Sequence, residues 1–143
     1  MAFMLFGSIG LAQEGGACSC KGSSTCQVSC PSGKSPECRS TLFGGCKCKC
    51  VNDGPINLEQ AKVYELNSDL EDILELKNVL TKLENRKLIA ELNEVIQFYE
   101  DNIQNRNFNQ DFEVLLDKNQ QIAIKIYKKL NVIDKLKLSD CEI

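Results

Sequence analysis

Eight cysteines, at positions 18, 20, 26, 30, 38, 46, 48 and 50, fall in a stretch with little else from which to build an interior. Its sizeable apolar residues are Val28, Leu42 and Phe43, and most of the remainder is Ser, Gly, Lys, Thr and Pro. Fixing the backbone of each residue costs about 1–2 kcal/mol of conformational entropy, which burial on this scale does not offset. A segment so composed holds one shape only when bonds or a metal close it. Residues 13–54 must therefore be stapled or coordinated, whatever the rest of the chain does.

The rest is of another kind. All nine glycines and eight of the nine cysteines precede Pro55, while residues 55–143 are dense in Leu, Ile, Glu, Lys and Asn. The turn-forming run "NDGP" at residues 52–55 marks the boundary between a Cys-rich segment, 13–54, and a helical segment, 55–143.

The eight thiols have two chemical readings. No pair has C-x-x-C spacing, which leaves zinc ribbons and thioredoxin-type redox motifs without support. C-x-C occurs three times, as Cys18/Cys20, Cys46/Cys48 and Cys48/Cys50, with lysine neighbours in "CSCK" and "CKCKC". In these residues the segment resembles a metallothionein. The resemblance implies zinc or copper(I) held as a thiolate cluster by Cys18, Cys20, Cys26, Cys30, Cys38, Cys46, Cys48 and Cys50. It ends at Cys50, for metallothioneins are almost wholly Cys-rich and this chain continues into a long helical pattern. The other reading needs no cofactor: an even count of eight in an exported chain suits a disulfide framework built from the same residues.

A hairpin is expected inside that framework. In "STLFGGCKCKCV", Gly44-Gly45 suits a two-residue turn, which needs positive φ. Strand alternation then sets Cys46, Cys48 and Cys50 on one face and Lys47 and Lys49 on the other. A two-residue turn puts Phe43 opposite Cys46, Thr41 opposite Cys48 and Arg39 opposite Cys50, so Cys38 meets none of the three. In this register Cys46, Cys48 and Cys50 bond to three of Cys18, Cys20, Cys26 and Cys30, and the fourth bonds to Cys38. The alternative is an irregular loop whose connectivity the sequence does not encode.

Compartment bears on the choice. Residues 1–12 are apolar from Ala2 on, with Gly10 and Ala12 three and one residues before Gln13, the small-x-small pattern of a signal-peptide cleavage site. No Lys or Arg precedes the apolar run, so it reads as a truncated signal peptide. It is too short to span a bilayer, which takes about 20 apolar residues. Export places the mature chain in an extracellular, periplasmic or cell-surface setting. There Cys141 is a free thiol or an intermolecular one.

The fold class expected is mainly α: a three-helix bundle or helical hairpin after a small irregular, disulfide-rich segment. Asn57 with Gln60 forms a capping box. Apolar stripes follow at helical spacing: Leu66, Leu70, Ile73, Leu74 and Leu80; Leu88, Leu92, Val95, Ile96, Tyr99 and Ile103; then Phe108, Phe112, Leu115, Leu116, Ile122, Ile126, Leu130 and Ile133. The first break is ambiguous, either at Asn78 with a Thr81/Glu84 box or absent, leaving one helix to about Gln104. "NRNFN" marks the second, and Asn131 ends the last long helix, leaving a short turn of helix to Leu138. Residues 58–84 carry seven acids against three lysines, and 118–137 carry six lysines, a distribution that favours antiparallel folding. Surplus apolar surface on so short a bundle makes a homodimer or a partner groove credible.

Several functions lose support. The chain has no histidine, which removes the commonest general base and every mixed Cys/His zinc site. A net charge of −3 without a basic block offers nucleic acid no electrostatic footprint. The expectation is a non-catalytic structural or protein-interaction module with an unknown protein partner, no nucleic acid, no spanning segment in the mature chain and no cofactor. Thiolate binding of zinc or copper is the alternative.

Overall fold

The computed structural model describes residues 16–19, 27–52 and 57–138, with the backbone alone described at 16–19 and 27. The apolar stretch 1–12, Cys20, Cys26 and Cys141 lie outside the described residues, as does most of the expected boundary turn. The described residues up to Asn52 belong to one compact unit and those from Asn57 to Leu138 to another.

Among the described residues the first unit contains two antiparallel strand pairs where one hairpin was expected. β1 (Gly16–Ser19) pairs with β2 (Gln27–Cys30), setting Cys18 opposite Val28. β3 (Ser35–Ser40) pairs with β4 (Cys46–Val51). Between β2 and β3, Lys34 N–H donates to the Pro31 carbonyl at 3.2 Å, and Gly33 takes the positive φ of 90° that such a turn demands.

The β3–β4 register differs from the expected one. Thr41 N–H donates to the Gly45 carbonyl at 2.9 Å and Gly44 N–H to the Thr41 carbonyl at 3.2 Å. Gly44 stands at φ 84°, so the connection is a three-residue loop, Leu42-Phe43-Gly44, in place of a Gly-Gly pair. The Gly45 N–H, which this loop leaves off the ladder, donates to Thr41 Oγ1 at 2.9 Å. Thus Ser40 opposes Cys46, Cys38 opposes Cys48 and Pro36 opposes Cys50. Each β4 cysteine has moved three places along its partner strand. Because three is odd, the face of β3 that it meets has changed as well.

The second unit is an up–down–up bundle. α1 (Leu58–Lys82), α2 (Arg86–Asn105) and α3 (Gln110–Lys128) are followed by a short α4 (Val132–Leu136). Each starts at an asparagine whose side chain accepts a backbone N–H: Asn57 from Gln60, Asn85 from Leu88, Asn109 from Phe112 and Asn131 from Asp134. Such a cap contributes about 1 kcal/mol. The expected Thr81/Glu84 box does not form, because the Thr81 hydroxyl donates back to the Lys77 carbonyl and the helix runs on to Lys82. Asn85 N–H then donates to the Leu80 carbonyl and Glu84 N–H to that of Thr81, a Schellman stop with Glu84 at φ 57°.

The core gathers Leu66, Ile73, Leu76 and Leu80 from α1, Leu92, Val95 and Tyr99 from α2, and Phe112, Leu116, Ala123 and Ile126 from α3. Phe98 stacks on Phe112 at 5.8 Å between ring centroids. Two stripe residues are corrected: Leu74 and Leu115 are 45% and 47% exposed, and Leu76 and Val79 are buried where the stripe left them out. Ile133 is corrected too. The long helix stops before Asn131 and a short helix follows it, as expected. Because Asn131 caps that new helix the periodicity restarts, and α4 turns Val132, Ile133 and Leu136 outward while burying Asp134.

Candidate functional site

The chemistry of the first unit lies in its sulfurs. Cys38 and Cys48 face each other across the β3–β4 ladder with Cα atoms 4.0 Å apart, and their side chains form a disulfide. The Thr41–Gly45 bond fixes the alternation of the ladder, making 38/48 a non-hydrogen-bonded pair, where side chains approach most closely. The same alternation puts Pro36 where its missing N–H would point away from β4. A second disulfide, Cys30–Cys50, ties the end of β2 to β4 with Cα atoms 5.6 Å apart and joins the two hairpins. Cys46 is disulfide-bonded as well.

The Cys38–Cys48 bond overturns the expected pairing, in which Cys38 avoided the β4 cysteines. The reason is the turn: a Gly-Gly loop would have set Thr41 opposite Cys48. Cys30–Cys50 does fall within the expected set of bonds between β4 and the earlier cysteines. The side chains of Cys18, Cys20, Cys26 and Cys141 lie outside the described residues.

Val28, Cys30, Cys46 and Cys48 form one buried cluster, with Cys38 and Cys50 packed against it. Half-cystines thus fill the interior that aliphatic side chains would otherwise occupy. The unbroken β4 ladder alternates Cys46, Cys48 and Cys50 with Lys47 and Lys49 as expected, and on the lysine face Lys49 is exposed while Lys47 is buried at 8%. A sulfur held in a disulfide is not a thiolate, so Cys30, Cys38, Cys46, Cys48 and Cys50 do not fit the metallothionein-like cluster. Among the described residues no group of three or more His, Cys, Asp or Glu is placed to hold a metal ion.

The helical unit carries a polar knot that the sequence reading missed. Tyr99 OH and Gln120 Nε2 both donate to Asp69 Oδ2 at 2.9 Å, so one carboxylate links all three long helices. Burial raises the Asp69 pKa against the opposing effect of its two donors. Burial, with the Asp69 charge beside it, pushes the Tyr99 phenol above its ordinary range. A signal for the knot was present. Asp69 fits the core-facing series Leu66, Asp69, Ile73, Leu76, Leu80, spaced three, four, three and four apart.

A cleft of about 640 Å³ lies where α1 begins and α2 passes to α3, lined in part by Leu58, Lys62, Arg106 and Phe108. Its charges answer one another: Lys62 pairs with Glu65 and Glu113 at 3.1 Å, and Arg106 with Glu59 at 3.6 Å. Partial burial would lower the Lys62 pKa, but the two glutamates outweigh it and leave the group above its usual value. Among the described residues no helix is long and apolar enough to cross a membrane. No protein-family model, no curated protein and no solved structure matches this chain.

Proposed function

We propose that the protein is a small exported, non-catalytic module whose disulfide-stapled hairpins serve structure or protein–protein interaction in an extracellular, periplasmic or cell-surface setting. The observation that carries this reading is the bonded sulfur core, with a rung across one hairpin (Cys38–Cys48) and a tie to the other (Cys30–Cys50). Such bonds persist where the surroundings are oxidising and are reduced in most cytosols. Two further features support a non-catalytic role. The chain has no histidine, and both the Asp69 knot and the charged cleft satisfy their polar groups internally.

The test is alkylation of the native protein without reduction, followed by intact mass and peptide mapping, on material recovered by cell fractionation. The expected result is protein outside the cytosol, two hydrogens lighter per bridge, with Cys38 linked to Cys48 and Cys30 to Cys50. The same map shows whether Cys141 is alkylated or joins two chains. Cytosolic protein whose front cysteines all alkylate, or carry zinc or copper that acid releases, overturns the proposal.

A further inference from the structure

The outer face of the helical unit between α2 and α3 holds a groove of about 470 Å³. Val95 and Ile126 are buried in its lining, Ile122 is half-buried and Leu115 is 47% exposed. Its two banks are opposite in sign. Glu91 and Glu94 line it from α2, and Lys118, Lys125 and Lys129 line it from α3. None of these five charges joins an ion pair among the described residues, in contrast to the cleft at the start of α1. An apolar strip between an unpaired acidic bank and an unpaired basic bank is complementary to itself.

We infer that this groove is the interface of a symmetric homodimer, with a second copy of the chain as its occupant. The charges choose the symmetry axis. Two copies meeting face to face are related by a two-fold axis lying in the plane of contact. An axis across the helices stacks α2 on α2 and α3 on α3, placing acid against acid and lysine against lysine. An axis along the groove stacks each α2 on the partner's α3. Glutamates and lysines that line one groove lie at similar heights along it, so this operation sets Glu91 and Glu94 against the partner's lysine bank. Leu115 and Ile122 of the two copies then cover each other. The apolar strip is narrow, so the dimer is weak and sensitive to salt.

The experiment is sedimentation equilibrium of the full-length oxidised protein at low and high salt, using the parent and two charge-reversed variants, E91K/E94K and K118E/K125E/K129E. The parent is expected to dimerise with rising concentration at about 50 mM salt and to dissociate at about 500 mM, where screening is far stronger. Each variant alone is expected to lose dimerisation by tenfold or more, since like charges then face each other. An equimolar mixture of the two is expected to form a one-to-one heterodimer, because both contacts regain opposite signs. Circular dichroism of each variant confirms that the helices persist. A parent that stays monomeric at low salt overturns the proposal, and so do single variants that dimerise like the parent or a mixture that does not associate.

Discussion

The two units of this chain solve one problem by opposite means. The helical unit offsets the entropy of ordering its backbone by burying large apolar side chains from three helices: Leu66, Ile73, Leu92, Tyr99, Leu116 and Ile126 among them. The hairpin unit has one valine and a group of half-cystines at its centre, and its bonds act mainly on the unfolded chain. Stability in the first case resides in the folded interior. In the second it resides in conformations the unfolded chain can no longer reach.

That contrast is broken most forcefully by reductant. Chain-entropy reasoning gives about 3 kcal/mol for each of the Cys30–Cys50 and Cys38–Cys48 closures, which span 20 and 10 residues. Full reduction is expected to abolish amide protection in β2, β3 and β4 while leaving the helical far-ultraviolet signal in place. Helices that melt together with the hairpins would mean that the two units do not stand apart energetically.

The reciprocal test lies in the bundle. Leu92 is fully buried, and Leu92→Ala is expected to lower the stability of the helical unit by about 2–5 kcal/mol, the transfer loss plus the cavity left behind. Urea unfolding followed by circular dichroism reads the loss. Non-reducing peptide mapping is expected to show Cys38–Cys48 and Cys30–Cys50 unchanged in the variant.

What the sequence disclosed differs between the units for the same reason. Helical packing depends on many residues repeating at one period, so individual misplacements such as Leu74 leave the pattern standing. Asn57 was readable as a cap because its partner lies three residues away in sequence. The hairpin register hung on a single turn. Two adjacent glycines suggested a two-residue loop, but the Thr41 hydroxyl takes up the Gly45 N–H and allows a three-residue loop with Gly44 alone at positive φ among the two. One hydroxyl decided which cysteines met. The helix break at residues 83–85 was hidden in another way, since the left-handed position that glycine usually marks is occupied by Glu84.

A smaller effect separates the units by pH. The folded-state pKa of Asp69 is raised, mainly by burial, so folding favours its protonated form. Its ionised form therefore penalises the helical unit in full above the folded pKa. The penalty is relieved as pH falls through that value toward the unfolded value of about 3.8. Asp69→Asn keeps an oxygen that accepts from Tyr99 and Gln120 while removing the charge. The variant is expected to be as stable as the parent at pH 7 or slightly more so, and to lack this component of the pH profile. Melting temperatures of both proteins between pH 3 and 7 check it. A variant clearly weaker at neutral pH would mean that the knot needs the charge and not merely the acceptor.

The smallest expected change concerns the absence of glycine from the helical unit, where two chain reversals place other residues in the left-handed region: Glu84 and Arg106, each at φ 57°. A side chain there costs about 1–2 kcal/mol relative to ordinary backbone, and glycine escapes that cost but has more freedom to lose on folding, about 0.5–1 kcal/mol. Glu84→Gly is therefore expected to stabilise the bundle by about 0.5–1 kcal/mol, because its Schellman bonds run through the backbone and survive. Arg106→Gly gains the same relief but loses the 3.6 Å contact with Glu59 and the Nε bond to the Ile103 carbonyl, so its net gain is smaller. Urea midpoints that rank Glu84→Gly above Arg106→Gly, with both above the parent, bear this out. Loss of stability in Glu84→Gly would show that its side chain contributes more than the backbone strain it imposes. Neither substitution is expected to alter the amide protection of the hairpins, since the stability of that unit resides in its sulfur bonds.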